Sequence, residues 1–474
     1  MIHTAVKLSR AGATVARTAK LGTSLLRRSP PSRLVHDGIN SSNANPVALQ
    51  MINYALSHAR SQKSDESYAQ GLLVLEQCLS TQPSEGQDPA GDDSRGMVLL
   101  AMSTLSSERG NFEEAMDKLQ KVQDLTSSSI GVRVAALEAL VGLHLELEQD
   151  DTSSVLADKC LELLVKNEPG SNGGDSEVIH ARARAVKGLV ELVHGNTVSA
   201  ESFFRGLKDN LEITGSTALS YGEFLHASHK FSLAKDVYQN VIQGGSKNRE
   251  FSNSNALAAC NMSPEEVSLA ATCALGQLEA HLGNFADAEE ILTRALTITE
   301  EHFGSHHPKV GVVLTCIALM FRRKAMLEHS SALLIQEGLY RRAIELLKAP
   351  PFETEGTEAK VDRSDIVALA RGGYAEVLCV QQNRKDQGEK VKSWAEAIWR
   401  NRRLSLAQAL DWQSEVVFFG DISQGMCRFA PIPHMPFALY NDIQLDEKMH
   451  QTHSCSIFTP CDIMTCMRTY IQIM

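Results

Sequence analysis

A phrase built on small residues recurs along the chain: a Gly, an aromatic two positions on, an Ala three after that, then apolar residues four and seven further. Gly110-Asn111-Phe112-Glu113-Glu114-Ala115 leads to Leu119 and Val122, and Gly283-Asn284-Phe285-Ala286-Asp287-Ala288 leads to Leu292 and Ala295. Two looser copies depart at one position each: Gly195-Asn196-Thr197-Val198-Ser199-Ala200 at Thr197, and His229-Lys230-Phe231-Ser232-Leu233-Ala234 at His229. Seven residues before these turns stand Ser103, Gly188, Gly222 and Gly276. The local physics is restrictive. A Gly closes one helix in a left-handed cap and turns the chain, the aromatic fills the elbow, and the small residues let two antiparallel helices approach closely. An aromatic fraction of only 5% suits cores of Ala and Leu on helices. The expected fold is all-α.

The spacing of Gly188, Gly222 and Gly276 against Ala200, Ala234 and Ala288 resembles the tetratricopeptide repeat, whose helix pair carries small residues at its eighth and twentieth positions and a large apolar residue at its twenty-fourth. It is fullest from Gly276 to Leu296. The stretch Ala295 to Val310, with Gly304, His306-His307-Pro308 and then Leu314 and Ile317-Ala318, is similar to the repeats of kinesin light chains. In those, helix B ends at a Gly and a His-Pro step opens the next helix. Thr315-Cys316 departs from that pattern, where an Asn is usual.

Weaker pairs extend the array through Pro46 to Leu79, Ile130 to Leu164, Lys309 to Leu347 and Asp365 to Arg400. Linkers rich in Gly, Pro, Ser and Asp punctuate it at Thr81 to Gly96, Asn167 to Glu177, Gly244 to Pro264 and Pro350 to Arg363. The reading is a solenoid of about eight helix pairs over residues 46–403, one cooperative stack with insertions. The resemblance implies a right-handed superhelix whose first helices line a concave face. It also implies that ligands are read at the second, fifth, ninth and twelfth positions of each repeat. Those positions hold Arg182, Glu223, His226, Gln277, Thr315 and Arg322, a mixed polar set suited to an extended peptide or protein segment. The carboxylate clamp of chaperone-binding relatives needs Lys and Asn where this chain has Leu100 and Thr104, Ala185 and Leu189, Leu219 and Glu223, or Cys273 and Gln277. A co-chaperone of that type is therefore not expected.

Charge is unevenly placed. The chain carries −11 over 474 residues, yet residues 1–36 hold seven bases (Lys7, Arg10, Arg17, Lys20, Arg27, Arg28 and Arg33) and no acid, a segment of +7. Residues 411–474 carry −4, which leaves −14 between them. On a helical wheel Leu8, Val15 and Leu26 share a side with Ala11 and Ala19, opposite most of the bases. An Arg-rich, Ser-containing, acid-free amphipathic N-terminus fits a mitochondrial presequence over residues 1–40, with a chloroplast transit peptide or a retained cytoplasmic arm as alternatives. The acidic body argues against nucleic acid as a partner, and no stretch reaches the roughly 18 apolar residues that a membrane span needs.

The search for chemistry finds no phosphate-binding loop, dinucleotide fingerprint, His-Glu-x-x-His zinc helix or nucleophile elbow. His302, His306 and His307 are read as an inter-helix loop. Cys455, Cys461 and Cys466 with His453 lack any Cys-x-x-Cys knuckle, so neither metal nor cofactor is expected. The basic runs Arg322-Arg323-Lys324 and Arg400, Arg402 and Arg403 read as solvated helix faces. After Leu410 the helical period stops, and residues 411–474 hold eight of the 26 aromatics and four of the ten Cys, an irregular tail.

These readings converge on a non-enzymatic adaptor of the mitochondrial matrix that binds protein or peptide segments. By resemblance it is similar to plant-type organellar tetratricopeptide proteins supporting respiratory-chain or iron–sulfur assembly. The alternatives are a cytosolic kinesin-light-chain-like cargo adaptor and an organellar helical-repeat RNA-binding protein. The oligomeric state is open.

Overall fold

The computed structural model describes residues 44–82, 88–166, 174–205, 207, 215–245, 264–349, 364–399, 405–410, 416–421 and 426–431. The expected presequence, the Cys455 to Cys466 group with His453, the run at Arg400, Arg402 and Arg403, and most of the 411–474 tail lie outside these residues.

Each turn phrase makes a helix pair. Gly110, Gly195 and Gly283 sit at φ of 80°, 74° and 84°, the left-handed region open to Gly without steric cost. The N–H of the residue after each Gly reaches back to a carbonyl of the finished helix, Asn111 to Ser106, Asn196 to Glu191 and Asn284 to Glu279. These are Schellman caps, which satisfy carbonyls the helix would leave without partners. Where Gly is missing, His229, Glu148 and His329 take the same conformation at φ of 56°, 58° and 49°, with matching bonds from Lys230 to Leu225, Gln149 to His144 and Ser330 to Ala325.

Among the described residues eight helix pairs follow one another. They are α1 (Pro46–Gln62) with α2 (Asp65–Thr81), α3 (Pro89–Glu108) with α4 (Phe112–Asp124), α5 (Ile130–Glu146) with α6 (Asp150–Lys166), and α7 (Gly174–Val193) with α8 (Thr197–Phe204). The series continues with α9 (Gly215–Ala227) and α10 (Phe231–Gly245), α11 (Pro264–Leu282) and α12 (Phe285–Phe303), α13 (Pro308–Leu327) and α14 (Leu333–Leu346), and α15 (Ser364–Val380) and α16 (Lys385–Ile398). A short α17 (Leu406–Leu410) packs on α15. Each helix packs most closely on its sequence neighbour, and each first helix also touches the first helix of the next pair. The chain is an all-α helical-repeat solenoid. Its one non-helical pairing among the described residues is a two-stranded hairpin, Val416–Asp421 against Met426–Pro431.

The small residues work as the spacing predicts. A Cβ at Gly188 would stand 2.6 Å from the Phe204 ring, at Gly222 2.6 Å from the Tyr238 ring, and at Gly276 2.7 Å from Leu292 Cγ. In each pair the small residue of the first helix therefore receives the large residue of the second, and Phe204, Tyr238 and Leu292 are buried as a result. Burying a side chain of that size is worth about 1.5–3 kcal/mol. Ala115, Ala200, Ala234, Ala288 and Ala295 are all fully buried, and Phe112 and Phe285 lie under their turns. In the sixth pair α12 stops at Gly304, with φ of 94°. His307 then caps α13, its Nδ1 accepting the Lys309 N–H at 3.2 Å, with Pro308 in the first turn. Both the Gly stop and the His-Pro start fall where the local pattern put them.

Among the described residues the buried apolar side chains fall into separate clusters. One large apolar cluster runs from Ala181 and Ala185 on α7 to Leu410, covering the fourth to eighth pairs. A second runs from Ala44 to Leu143 through the first three pairs. Between them, at the α5–α6–α7 junction, lie two small clusters. Val134, Leu137, Cys160, Leu163, Leu164 and Ala183 form one, and Val141, Leu145, Ala157, Val186 and Val190 the other.

Candidate partner-binding surface

The six polar positions singled out for ligand reading fall on first helices: Arg182 on α7, Glu223 and His226 on α9, Gln277 on α11, Thr315 and Arg322 on α13. The array turns most of them into its own structure. Arg182 is 6% exposed and donates Nε and Nη2 to the Glu138 carboxylate of α5, with Nη2 to Oε2 at 2.5 Å. Burial pushes the Glu138 carboxyl up while Arg182 opposes it. Arg322 turns the other way. Its Nε and Nη2 bond both oxygens of Glu376 on α15 at 2.6 and 3.1 Å, and its Nη1 donates to the Leu410 carbonyl of α17.

The remaining four are buried. Thr315 is fully enclosed and its hydroxyl donates to the Gly311 carbonyl of its own helix. Gln277 Nε2 lies 3.0 Å from Cys316 Sγ, which places it beside Thr315 across the α11–α13 contact. His226 meets Phe231, Tyr238 and His281 with ring centroids 5.9, 6.3 and 5.7 Å away. Burial, then His281 and His229, hold its pKa well below the ordinary imidazole value. Glu223 is buried and close enough to Tyr238 to push that phenol's pKa higher, after burial itself. Five of the six thus present almost no surface in this state, and the sixth spends its guanidinium on Glu376 and Leu410.

Two features escape the sequence pattern. The first is a cleft of about 530 Å³ between α10 and α12, floored by Leu275 and Glu279 of α11. Its walls carry Lys235 and Gln239 on one side and Asp287, Glu290 and Arg294 on the other. Lys235 reaches Glu279 at 2.7 Å and Asn284 fixes the same carboxylate from the turn. The cleft therefore presents both signs of charge. Its signal was present as outward charges on two second helices, but which second helices come together is a matter of stacking.

The second is a seam. Glu148, in the α5–α6 turn, accepts the Ser364 hydroxyl at 2.6 Å and the Asp365 N–H at 3.0 Å, capping α15 five pairs later. His307 at the start of α13 has its Nε2 3.3 Å from the Glu108 carbonyl at the end of α3. With Nδ1 accepting from Lys309, the Nε2 carries the hydrogen and donates. The Glu108 carboxylate takes Arg60 at 2.6 Å and the Tyr68 hydroxyl at 2.9 Å, while Lys309 pairs with Glu266 at 3.0 Å and lies over the Phe303 ring.

The three loop histidines therefore divide their work. His307 is a helix cap, His306 bonds Ser305, and His302 is half-buried with its pKa lowered by burial. Among the described residues no three His, Cys, Asp or Glu side chains are grouped to hold a metal, and no helix is long and apolar enough to cross a membrane.

No curated protein matches the chain. Residues 268–309, which run from α11 through α12 to the cap of α13, match the tetratricopeptide repeat family model. That match lies in the sixth pair, and paired helices of the same build flank it on either side, so the array contains a tetratricopeptide-like repeat.

Proposed function

We propose that the chain is a non-catalytic adaptor of the mitochondrial matrix that holds protein partners against its helical array. The observation that carries the adaptor reading is the stack itself: eight helix pairs, one matching a repeat family built for protein contacts. A solenoid offers a long surface at low cost in loop entropy, which suits extended partners better than small substrates. The contact that the geometry favours is the α10–α12 cleft, because its Asp287, Glu290 and Arg294 line an open surface, whereas the six first-helix positions are consumed by packing and pairing. Support for the matrix is the acid-free +7 segment at residues 1–36, whose charge the membrane potential draws inward. A role in respiratory-chain or iron–sulfur assembly rests on resemblance to organellar proteins of this type.

Two measurements separate these layers. A fluorophore fused to residues 1–45 reports the compartment, and a cytosolic signal removes the matrix assignment while leaving the adaptor. Proximity labelling from the full chain is then compared with Glu290→Lys/Arg294→Glu. The labelled set should shrink with that double reversal, and an unchanged set excludes the cleft as the contact.

A further inference from the structure

We infer that the array is hinged at the α5–α6–α7 junction and latched at the seam, so that pairs one to three and pairs four to eight form two bodies that part when the seam opens. Each body has its own apolar core. Across the junction the shared apolar surface shrinks to the two small clusters around Leu137 and Val141. The same junction carries the buried Glu138–Arg182 pair, and a buried ion pair adds little net stability beyond what desolvation costs.

The seam is a second connection between the two bodies. Its contacts are polar throughout: Glu148 to Ser364 and Asp365, His307 to the Glu108 carbonyl, and the Arg60–Glu108 pair lying close enough to Glu266 to feel its charge. No apolar cluster of the described residues joins α1–α4 to α12–α16. Water replaces hydrogen bonds of this kind at small net cost, so each contact is individually weak and jointly reversible. Their arrangement is regular. The end of α3 meets the start of α13 and the end of α5 meets the start of α15, each displaced by five pairs. Losing one contact loosens the next, as a latch requires and an isolated cap does not. The latch belongs to the free protein and stands apart from where partners dock.

Hydrogen exchange on the full chain tests it. Glu148→Ala removes the α15 cap, and amides 368–372 should exchange about tenfold faster, the factor expected for a lost cap. A latch also predicts several-fold faster exchange at residues 104–108 of α3 and 310–315 of α13, with amides 375–378 inside α15 unchanged. His307→Leu, which removes the bond to the Glu108 carbonyl, must produce the reciprocal effect at 368–372. Acceleration confined to the first turns of α15, or absence of the reciprocal effect, overturns the latch and leaves Glu148 a local cap. Should Glu148→Ala fail to fold, Ser364→Ala removes only the hydroxyl bonds and is read in the same way.

Discussion

Arg182 on α7 and Glu138 on α5 form a two-pronged ion pair between consecutive first helices, with side chains 7% and 1% exposed. The same chemistry joins Arg322 to Glu376 four junctions further along, yet those side chains are 16% and 40% exposed. Exposure decides what each pair is worth. A carboxylate left alone in a dry site keeps its full desolvation cost, whereas one at the surface is rescued by water.

Arg182→Ala should therefore destabilise the array by about 3–5 kcal/mol, the usual cost of stranding a buried partner. Arg322→Ala should cost about 1–2 kcal/mol, since Glu376 stays hydrated and one carbonyl contact is lost. Urea denaturation of the two variants gives the comparison. Equal losses would show that the Glu138 site admits water.

Helix approach through glycine yields a second contrast. Gly276→Ala places a methyl 2.7 Å from Leu292 Cγ and should cost about 1–3 kcal/mol by overpacking. Gly338→Ala, within α14 and with open space around it, should instead stabilise by about 0.5–1 kcal/mol through helix propensity. Thermal melting of both variants checks the opposite signs.

Acid sensitivity follows from the burial of His281. Burial first, then Arg323 and His229, hold His281 at about 4 against an ordinary value of 6.5. The folded state favours neutral imidazole, so the unfolded chain takes up the proton first. The contribution is whole above 6.5 and is lost as pH falls through that window toward 4. At pH 5 the loss should reach about 2 kcal/mol. Chemical denaturation of the parent chain and of His281→Gln across this range should give a shallower pH slope for the variant.

How far the fold could be read in advance depends on the reach of each signal. Gly276, Gly283, Ala288 and Leu292 lie within one helix pair, so one short phrase carried the turn, the close approach and the buried contact together. His307-Pro308 was legible for the same reason, because a cap is written in the residues beside it. The polar first-helix positions were harder. A repeat pattern places Arg182 and Arg322 on the first helices, but whether a guanidinium meets a ligand or a neighbour depends on what the adjacent pair holds at the facing height. Here that is Glu138 and Glu376.

By itself the sequence determined the helix pairs, their caps and their packing contacts, since these are interactions between residues a few turns apart. Only the tertiary structure decided that Glu148 caps α15 and that Glu108 receives His307, partners 216 and 199 residues away. Each pair adds a small rotation to the next, and where the stack returns on itself is set by the accumulated angle. No local pattern of side chains records that sum.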